Sequence, residues 1–294
     1  MIAWSKRFPR WKYALGYARL LSARKRFFDR IGLSPAFPWP RPRKVLGDQA
    51  RLASLRGSAA GKRAFIIGNG PSLGRMDLSP LRDELTIGTN GLYKSFGDWG
   101  FSTDYLLFED IEQTEIHGPH IRDIQGPQKI AALYNAHAIA RPWSDLTFMN
   151  CRLADEAYWN EIGIQFSPDF AQTVYLGSSV VYIALQLAFH LGANPIYLLG
   201  VDLDYGQLSE HFPPGKLEIT EDNYPVVQRA HFNPDYYKIG DVIGVPNSQL
   251  QMQAMTVAHD FLSHRGVEVY NAGVGGALEV FDRVDFKSLF ASRD

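Results

Sequence analysis

What most limits how this chain can fold is an alternation that begins near residue 62. Short apolar runs recur between longer stretches of helical character. AFIIG (64–68), LTIGTN (85–90), DYLLFED (104–110), KIAALY (129–134), LTFMN (146–150), PIYLLGVDLDY (195–205) and VEVYNAG (267–273) read as strands. SSVVYIALQLAFHLGA (178–193) is apolar nearly all round and reads as a buried helix. QLQMQAMTVAHDFLSHRG (249–266) reads as an amphipathic helix closed by Gly266. Strands that are apolar on both faces need cover on both, and strand–helix alternation supplies it through parallel crossovers. The expected fold is therefore α/β: a Rossmann-like, mostly parallel sheet with helices on both faces, over residues 45–294, with a less regular insertion near 206–247. With 294 residues and 46% apolar composition the chain can bury a sizeable core.

Ligands in such sheets sit beyond the carboxyl ends of the strands. Four of those ends are polar here: Gly68-Asn69-Gly70, Gly88-Thr89-Asn90, Glu109-Asp110 and Asp202-Leu203-Asp204-Tyr205. In the first, glycines at 68 and 70 permit positive φ and close approach of backbone N–H groups to a ligand. A helix starting near Ser72 would add amide dipoles that favour phosphate. Asn69 can both donate and accept. The stretch is neither a Walker loop nor GxGxxG, because no Lys-Ser/Thr follows and the third glycine is absent. A nucleotide becomes the better reading once Asn69 is set beside Asn90 at the next strand end. His117 and His120 have metal-like spacing without a second ligand pair and read as part of a solvated loop.

The net charge of −1 conceals a basic N-terminus. Residues 1–44 hold twelve Lys or Arg against Asp29, a balance of +11, which leaves −12 for the remainder. Trp4, Phe8, Trp11, Leu15, Phe27 and Phe28 lie among these cations, and after Pro9 their spacing is roughly helical. Such an arm suits the headgroup layer of an anionic membrane; a helix packed on the body is the other reading, and nucleic acid is the least favoured partner. The proline-rich stretch after residue 34 reads as an extended linker. No run approaches 18 uninterrupted apolar residues, and Lys6, Arg7, Arg10 and Lys12 interrupt any signal-peptide core. Cys151, alone, excludes an intramolecular disulfide. The expectation is a cytoplasmic protein, peripheral on the inner face of the membrane.

GNGPSL followed by IGTNGLY resembles the opening of bacterial sialyltransferases that use CMP-sialic acid. It equally resembles the related 6-hydroxymethylpterin diphosphokinase-like proteins, which include motility accessory factors. The resemblance continues through GANPIYLLGVDLDYG, AHFNPDYY and YNAGVGGALEVFDRVDF, about 230 residues in all. It implies nucleotide contacts from Gly68, Asn69, Gly70, Ser72, Asn90, Asp110, Ser178, Ser179, Asp202 and Asp204. It also implies His231 as a base toward the acceptor hydroxyl, and Tyr205, Tyr236 and Tyr237 near the donor phosphate. The activity implied is transfer of sialic acid, another nonulosonic acid or Kdo from a CMP-activated donor to a glycan or lipid-linked glycan, with no metal or other cofactor. The alternative is pyrophosphoryl transfer from ATP to a pterin alcohol, with Mg²⁺ held by Asp110, Asp202 and Asp204. A third reading is a nucleotide-binding protein of a glycan pathway without turnover.

Overall fold

A computed structural model describes residues 42–140, 142–151, 163–205 and 207–291. The basic arm at 1–41 lies outside them. No helix among the described residues is long and apolar enough to cross a membrane.

Seven strands form the central sheet: β1 (Ala64–Ile67), β2 (Leu85–Thr89), β3 (Tyr105–Phe108), β4 (Gln128–Ala132), β5 (Leu146–Met149), β6 (Ile196–Leu199) and β9 (Val269–Asn271). Their order is β5-β4-β3-β2-β1-β6-β9, and every pairing is parallel. Each coincides with one of the apolar runs named above. Alternate residues face opposite sides, so Ala64 and Ile66 enter one core while Phe65 and Ile67 enter the other. Both cores are predominantly apolar, which is why these strands are apolar on both faces.

The chain steps from β1 to β5 in one direction, then returns to place β6 on the other side of β1. The connections of the outward run pack on one face, through Leu73, Leu81, Leu92 and Ile121. The return run packs α3 (Val180–Leu191) and α4 (Ser248–Ser263) on the opposite face. A right-handed crossover requires that change of face when the direction reverses. The reversal leaves a crevice at the carboxyl ends of β1 and β6, the switch point of the sheet. The segment between β6 and α4 holds an antiparallel pair, β7 (Gly215–Glu218) and β8 (Val242–Val245), around a small core of its own that includes Ile219, Val227 and Ile243. It roofs the crevice.

Two expectations change. Pro42 is helical rather than extended: it opens α1 (Pro42–Ser54), as proline can in a first turn where its missing N–H is not needed. Residues 42–44 thus belong to the body. His117 is not in a solvated loop; it lies in α2 (Ile111–Ile121) and is 1% exposed. Its Nδ1 meets the Tyr93 hydroxyl at 3.2 Å.

The α1 helix covers the outer edge of β5. The Asp48 carboxylate, 2% exposed, accepts from the Phe148 N–H at 3.0 Å, and the Lys44 Nζ donates to the Leu146 carbonyl at 2.5 Å and to Asp48 at 2.6 Å. Side chains here satisfy backbone groups that a bare edge strand would offer to another chain. Asp48→Ala strands the buried Phe148 N–H, and urea unfolding is expected to show a loss of about 1–3 kcal/mol. Asp48→Asn, which keeps an acceptor, should lose less.

Candidate functional site

The crevice is a cavity of about 810 Å³ open to solvent. Thirteen of the fourteen residues singled out in the sequence line it: Gly68, Asn69, Gly70, Asn90, Asp110, Ser178, Ser179, Asp202, Asp204, Tyr205, His231, Tyr236 and Tyr237. Ser72 does not.

The glycine turn works differently from its expected role. Gly70 has φ −66°, an ordinary value, so left-handed backbone is not its purpose. The Gly68 N–H donates to the Leu199 carbonyl and the Gly70 N–H to the Gly200 carbonyl, both at 2.8 Å, so neither amide is offered to a ligand. A Cβ on Gly70 would lie 2.5 Å from Asp202 Oδ2. The glycines let the end of β1 press against the end of β6. Ser72 completes that junction. Its N–H donates to Asp202 Oδ2 at 2.8 Å and its hydroxyl to Asp202 Oδ1 at 2.5 Å, with Ser72 wholly buried. Ser72 is therefore corrected from nucleotide ligand to structural clasp. Asp202 engages both carboxylate oxygens on it, which leaves Asp202 less available to a magnesium ion. The helix expected after the turn is a five-residue 3₁₀ segment, Pro71–Arg75. It is too short to focus a dipole, and its Ser72 amide is taken.

Asn69 and Asn90 remain for a ligand. Asn69 Nδ2 donates to the Thr89 carbonyl and hydroxyl, both at 3.0 Å, which locks the amide and leaves Oδ1 pointing elsewhere. Oδ1 of Asn69 and Oδ1 of Asn90 are both buried without a hydrogen-bond partner, as are Gln113 Oε1 and His231 Nδ1 in the same lining. Buried polar atoms are normally satisfied, so such a group of orphans at a cavity wall marks where a ligand completes the bonding. Backbone strain gathers at the same place. Among the described residues, the non-glycine positions with left-handed φ are Asn90 (48°), Ser178 (58°) and Leu203 (48°), and all three line the cavity. Strain of this kind persists only where the surroundings enforce it.

An aromatic box stands over these asparagines. His231 stacks on Tyr236 with ring centroids 4.1 Å apart and meets Tyr237 edge-on at 4.9 Å. Burial pushes His231 down to about 3, so its imidazole is neutral at working pH. The Tyr236 oxygen accepts the Gly91 N–H at 3.3 Å, and the Tyr237 oxygen accepts from Gln113 Nε2 at 2.9 Å. Each phenol therefore keeps its own proton to give to a ligand. Tyr205 is the reverse: its hydroxyl donates to Gln251 Oε1 at 3.0 Å. In this arrangement Tyr205 offers a ligand a lone pair and not a proton.

Two long helices begin at the cavity. Asp110 caps α2 by accepting the Gln113 N–H at 2.6 Å, and Ser179 caps α3 by accepting the Val181 N–H at 3.2 Å. Among the described lining residues there is no lysine or arginine. The acids present are largely quieted. Burial raises Glu109 to about 8 and Asp110 to about 6, and Asp202 accepts two hydrogen bonds from Ser72. It is chiefly through Asp110 and the exposed Asp204 that the lining could hold a magnesium ion carried in on phosphates. Among the described residues no cluster of three or more His, Cys, Asp or Glu is placed to hold a metal.

Glu109, Gln113 and Gln251 were not among the residues singled out as ligands. Gln251 sits within the buried stripe Gln251, Ala254, Met255, Ala258, Leu262 of α4, and Gln113 within the buried face of α2. A glutamine inside an apolar stripe is the signal that could have found Gln251; Gln113 shares its buried face with Thr114 and His117 and carries no such signal.

Comparison with known proteins adds a family. The family described as 6-hydroxymethylpterin diphosphokinase MptE-like matches residues 45–207. No curated protein matches the chain. Among solved structures, the MAf glycosyltransferase from Magnetospirillum magneticum AMB-1 is similar over 91% of this chain, with 15% identity and a TM-score of 0.45. The chain spans 42% of that protein's length.

Glu109 offers a direct check on the electrostatics. The Tyr134 hydroxyl donates to its carboxylate, but burial and the neighbouring Asp110 and Glu112 outweigh that bond, so its folded value of about 8 lies above the ordinary 4.5. Folding then takes up a proton between those values, and stability falls as pH rises from about 4.5 to about 8. Glu109→Gln keeps the acceptor for Tyr134 and removes the titration. Urea unfolding across pH 5–8 should show the variant gaining on the wild type, by at most about 1.4 kcal/mol per pH unit.

Proposed function

The chain belongs to the 6-hydroxymethylpterin diphosphokinase MptE-like family, and on that footing we propose that it is a nucleotide-dependent transferase. The reading that the site supports best is a glycosyltransferase that moves an acidic sugar from a CMP-activated donor to a glycan acceptor. One observation carries it: the unpartnered amide oxygens of Asn69 and Asn90 share a cavity with a neutral histidine and two phenols whose protons are free.

In this reading the acceptor hydroxyl attacks the anomeric carbon of the donor sugar and passes its proton to a ring nitrogen of His231. The bond from that carbon to the phosphate oxygen breaks, and CMP leaves with the electron pair. The new negative charge on phosphate is met by the O–H groups of Tyr236 and Tyr237 rather than by a metal. A histidine held near 3 is a weak base before the donor binds. The bound anionic donor supplies the counter-charge that an imidazolium would otherwise lack, so donor binding itself raises the basicity of His231.

A second reading follows the family's description: pyrophosphoryl transfer from ATP to a pterin alcohol. Asp110 and Asp204 would hold a phosphate-borne Mg²⁺, which would polarise the transferred group. It is favoured by the family match itself.

Residues 1–44, with their +11 balance and interleaved aromatics, fit a lipid-linked acceptor at an anionic membrane, on the inner face. Because residue 42 already belongs to α1, the informative deletion is 1–41, which should abolish co-sedimentation with anionic liposomes.

His231→Ala is expected to leave CMP affinity within about threefold while lowering turnover by about 10²–10⁴-fold, the usual worth of a general base. The acid limb of kcat/KM, which reports the free enzyme, should lie well below pH 6.5, and that of kcat should lie higher. Activity should survive EDTA. Strict magnesium dependence, with damage from Asp204→Asn, would install the second reading instead, and turnover with no donor would leave a binding protein.

A further inference from the structure

The hydrogen bonds around the cavity fix which phenol can give a proton and which can only receive one. Gln251 is 3% exposed and projects from α4 into the lining. Its Nε2 donates to the Ser178 carbonyl at 2.7 Å. A carbonyl can only accept, so the amide orientation is determined and Oε1 must be the atom facing Tyr205. Oε1 has no proton, so the 3.0 Å bond between them uses the proton of Tyr205. What Tyr205 has left for a ligand is a lone pair. The same logic runs the other way at Tyr236. The Gly91 N–H can only donate, the Tyr236 oxygen receives it at 3.3 Å, and the phenolic proton remains.

Tyr205 lies among acceptors: Asp202 and Asp110 are close enough to oppose its ionisation, and Asp204 precedes it in the chain. A phosphate placed there would meet carboxylates and a spent phenol. Ligand hydroxyls, which bring protons, would be welcome. Tyr236 sits in the His231–Tyr237 box; Asp110 opposes its ionisation too, so the hydrogen bonds and not the nearby charge divide the two phenols.

We infer that Gln251 is a positioning residue that sets the polarity of the site: by taking the proton of Tyr205 it makes Tyr205 the acceptor for a hydroxyl of the bound nucleotide's sugar, and leaves Tyr236 to donate to the phosphate. This rests on the nucleotide reading above and deepens it. Gln251 also holds the carbonyl of Ser178, whose left-handed backbone opens α3, so one side chain ties the proton pattern to the shape of the wall.

The test is calorimetric affinity for CMP, cytidine, 2′-deoxy-CMP and 3′-deoxy-CMP, with wild type, Tyr205→Phe, Tyr236→Phe, Gln251→Glu and Gln251→Leu. In the wild type, removing one sugar hydroxyl should weaken binding roughly three- to tenfold, the worth of one neutral hydrogen bond. In Tyr205→Phe that penalty should vanish. Removing the phosphate should cancel the penalty of Tyr236→Phe and leave that of Tyr205→Phe unchanged. Gln251→Glu keeps an acceptor for the Tyr205 proton and should keep the hydroxyl penalty, whereas Gln251→Leu should lose it. A merely structural glutamine would make the two variants alike. Coupling of Tyr205 to the phosphate, or equal behaviour of the Gln251 variants, would overturn the inference. If CMP and cytidine do not bind, the CMP reading fails, and ATP, adenosine and 2′-deoxy-ATP put the same question to the magnesium-dependent alternative. Binding of neither series would overturn both.

Discussion

Where the sheet reverses direction, the connections after β1 and β6 leave on opposite faces, and the buried Asp202 carboxylate ties the two strand ends together. It accepts the N–H and the hydroxyl of Ser72, beneath a turn whose glycines allow the two backbones to touch. The same residue anchors the loop after β9: the Ala277 N–H donates to the Asp202 carbonyl at 2.6 Å, and a Cβ on Gly276 would fall 2.7 Å from Asp202 Cα. Three distant parts of the chain thus meet at one residue. Asn69 lies in the same turn with its amide held by Thr89, and its carbonyl accepts the Phe232 N–H at 3.1 Å, which sets His231 beside it. The site is a consequence of how the switch point is closed.

Charge is handled by subtraction. A cavity that takes an anionic nucleotide would ordinarily carry lysine or arginine, yet its described lining has acids instead. Burial keeps Glu109 protonated, two donors from Ser72 absorb Asp202, and Asp110 spends one oxygen as a helix cap. In the proposed reading neutral donors such as Tyr236 meet the phosphate in a partly desolvated site, where a hydrogen bond is worth more than in water. The neutrality of His231 belongs to the same economy. An imidazolium there would have no partner until an anion arrives.

The parts of the fold that a local pattern controls were legible. Seven apolar runs became the seven strands, because a strand buried on both faces has no choice but to be apolar along its length. The return helices followed from the same logic. Long-range polar pairings were not legible. Ser72 looked like a ligand because its neighbours in sequence are ligand-like, while its partner lies 130 residues away. Tyr205 looked like a phosphate donor because sequence names the hydroxyl and not the direction of its proton. The strand expected over 195–205 ends at Leu199, since the chain turns left-handed at Gly200 and Leu203. Pro42 reads as a breaker in isolation and is a helix start in context.

The central claim is that the asparagines at the ends of β1 and β2 complete their hydrogen bonding with a nucleotide. A crystal structure of the chain with CMP tests it most directly. The account predicts nucleotide donors within hydrogen-bond distance of Asn69 Oδ1 and Asn90 Oδ1, in the crevice between β1 and β6. A nucleotide seated elsewhere, or one that leaves both oxygens without a partner, would contradict it.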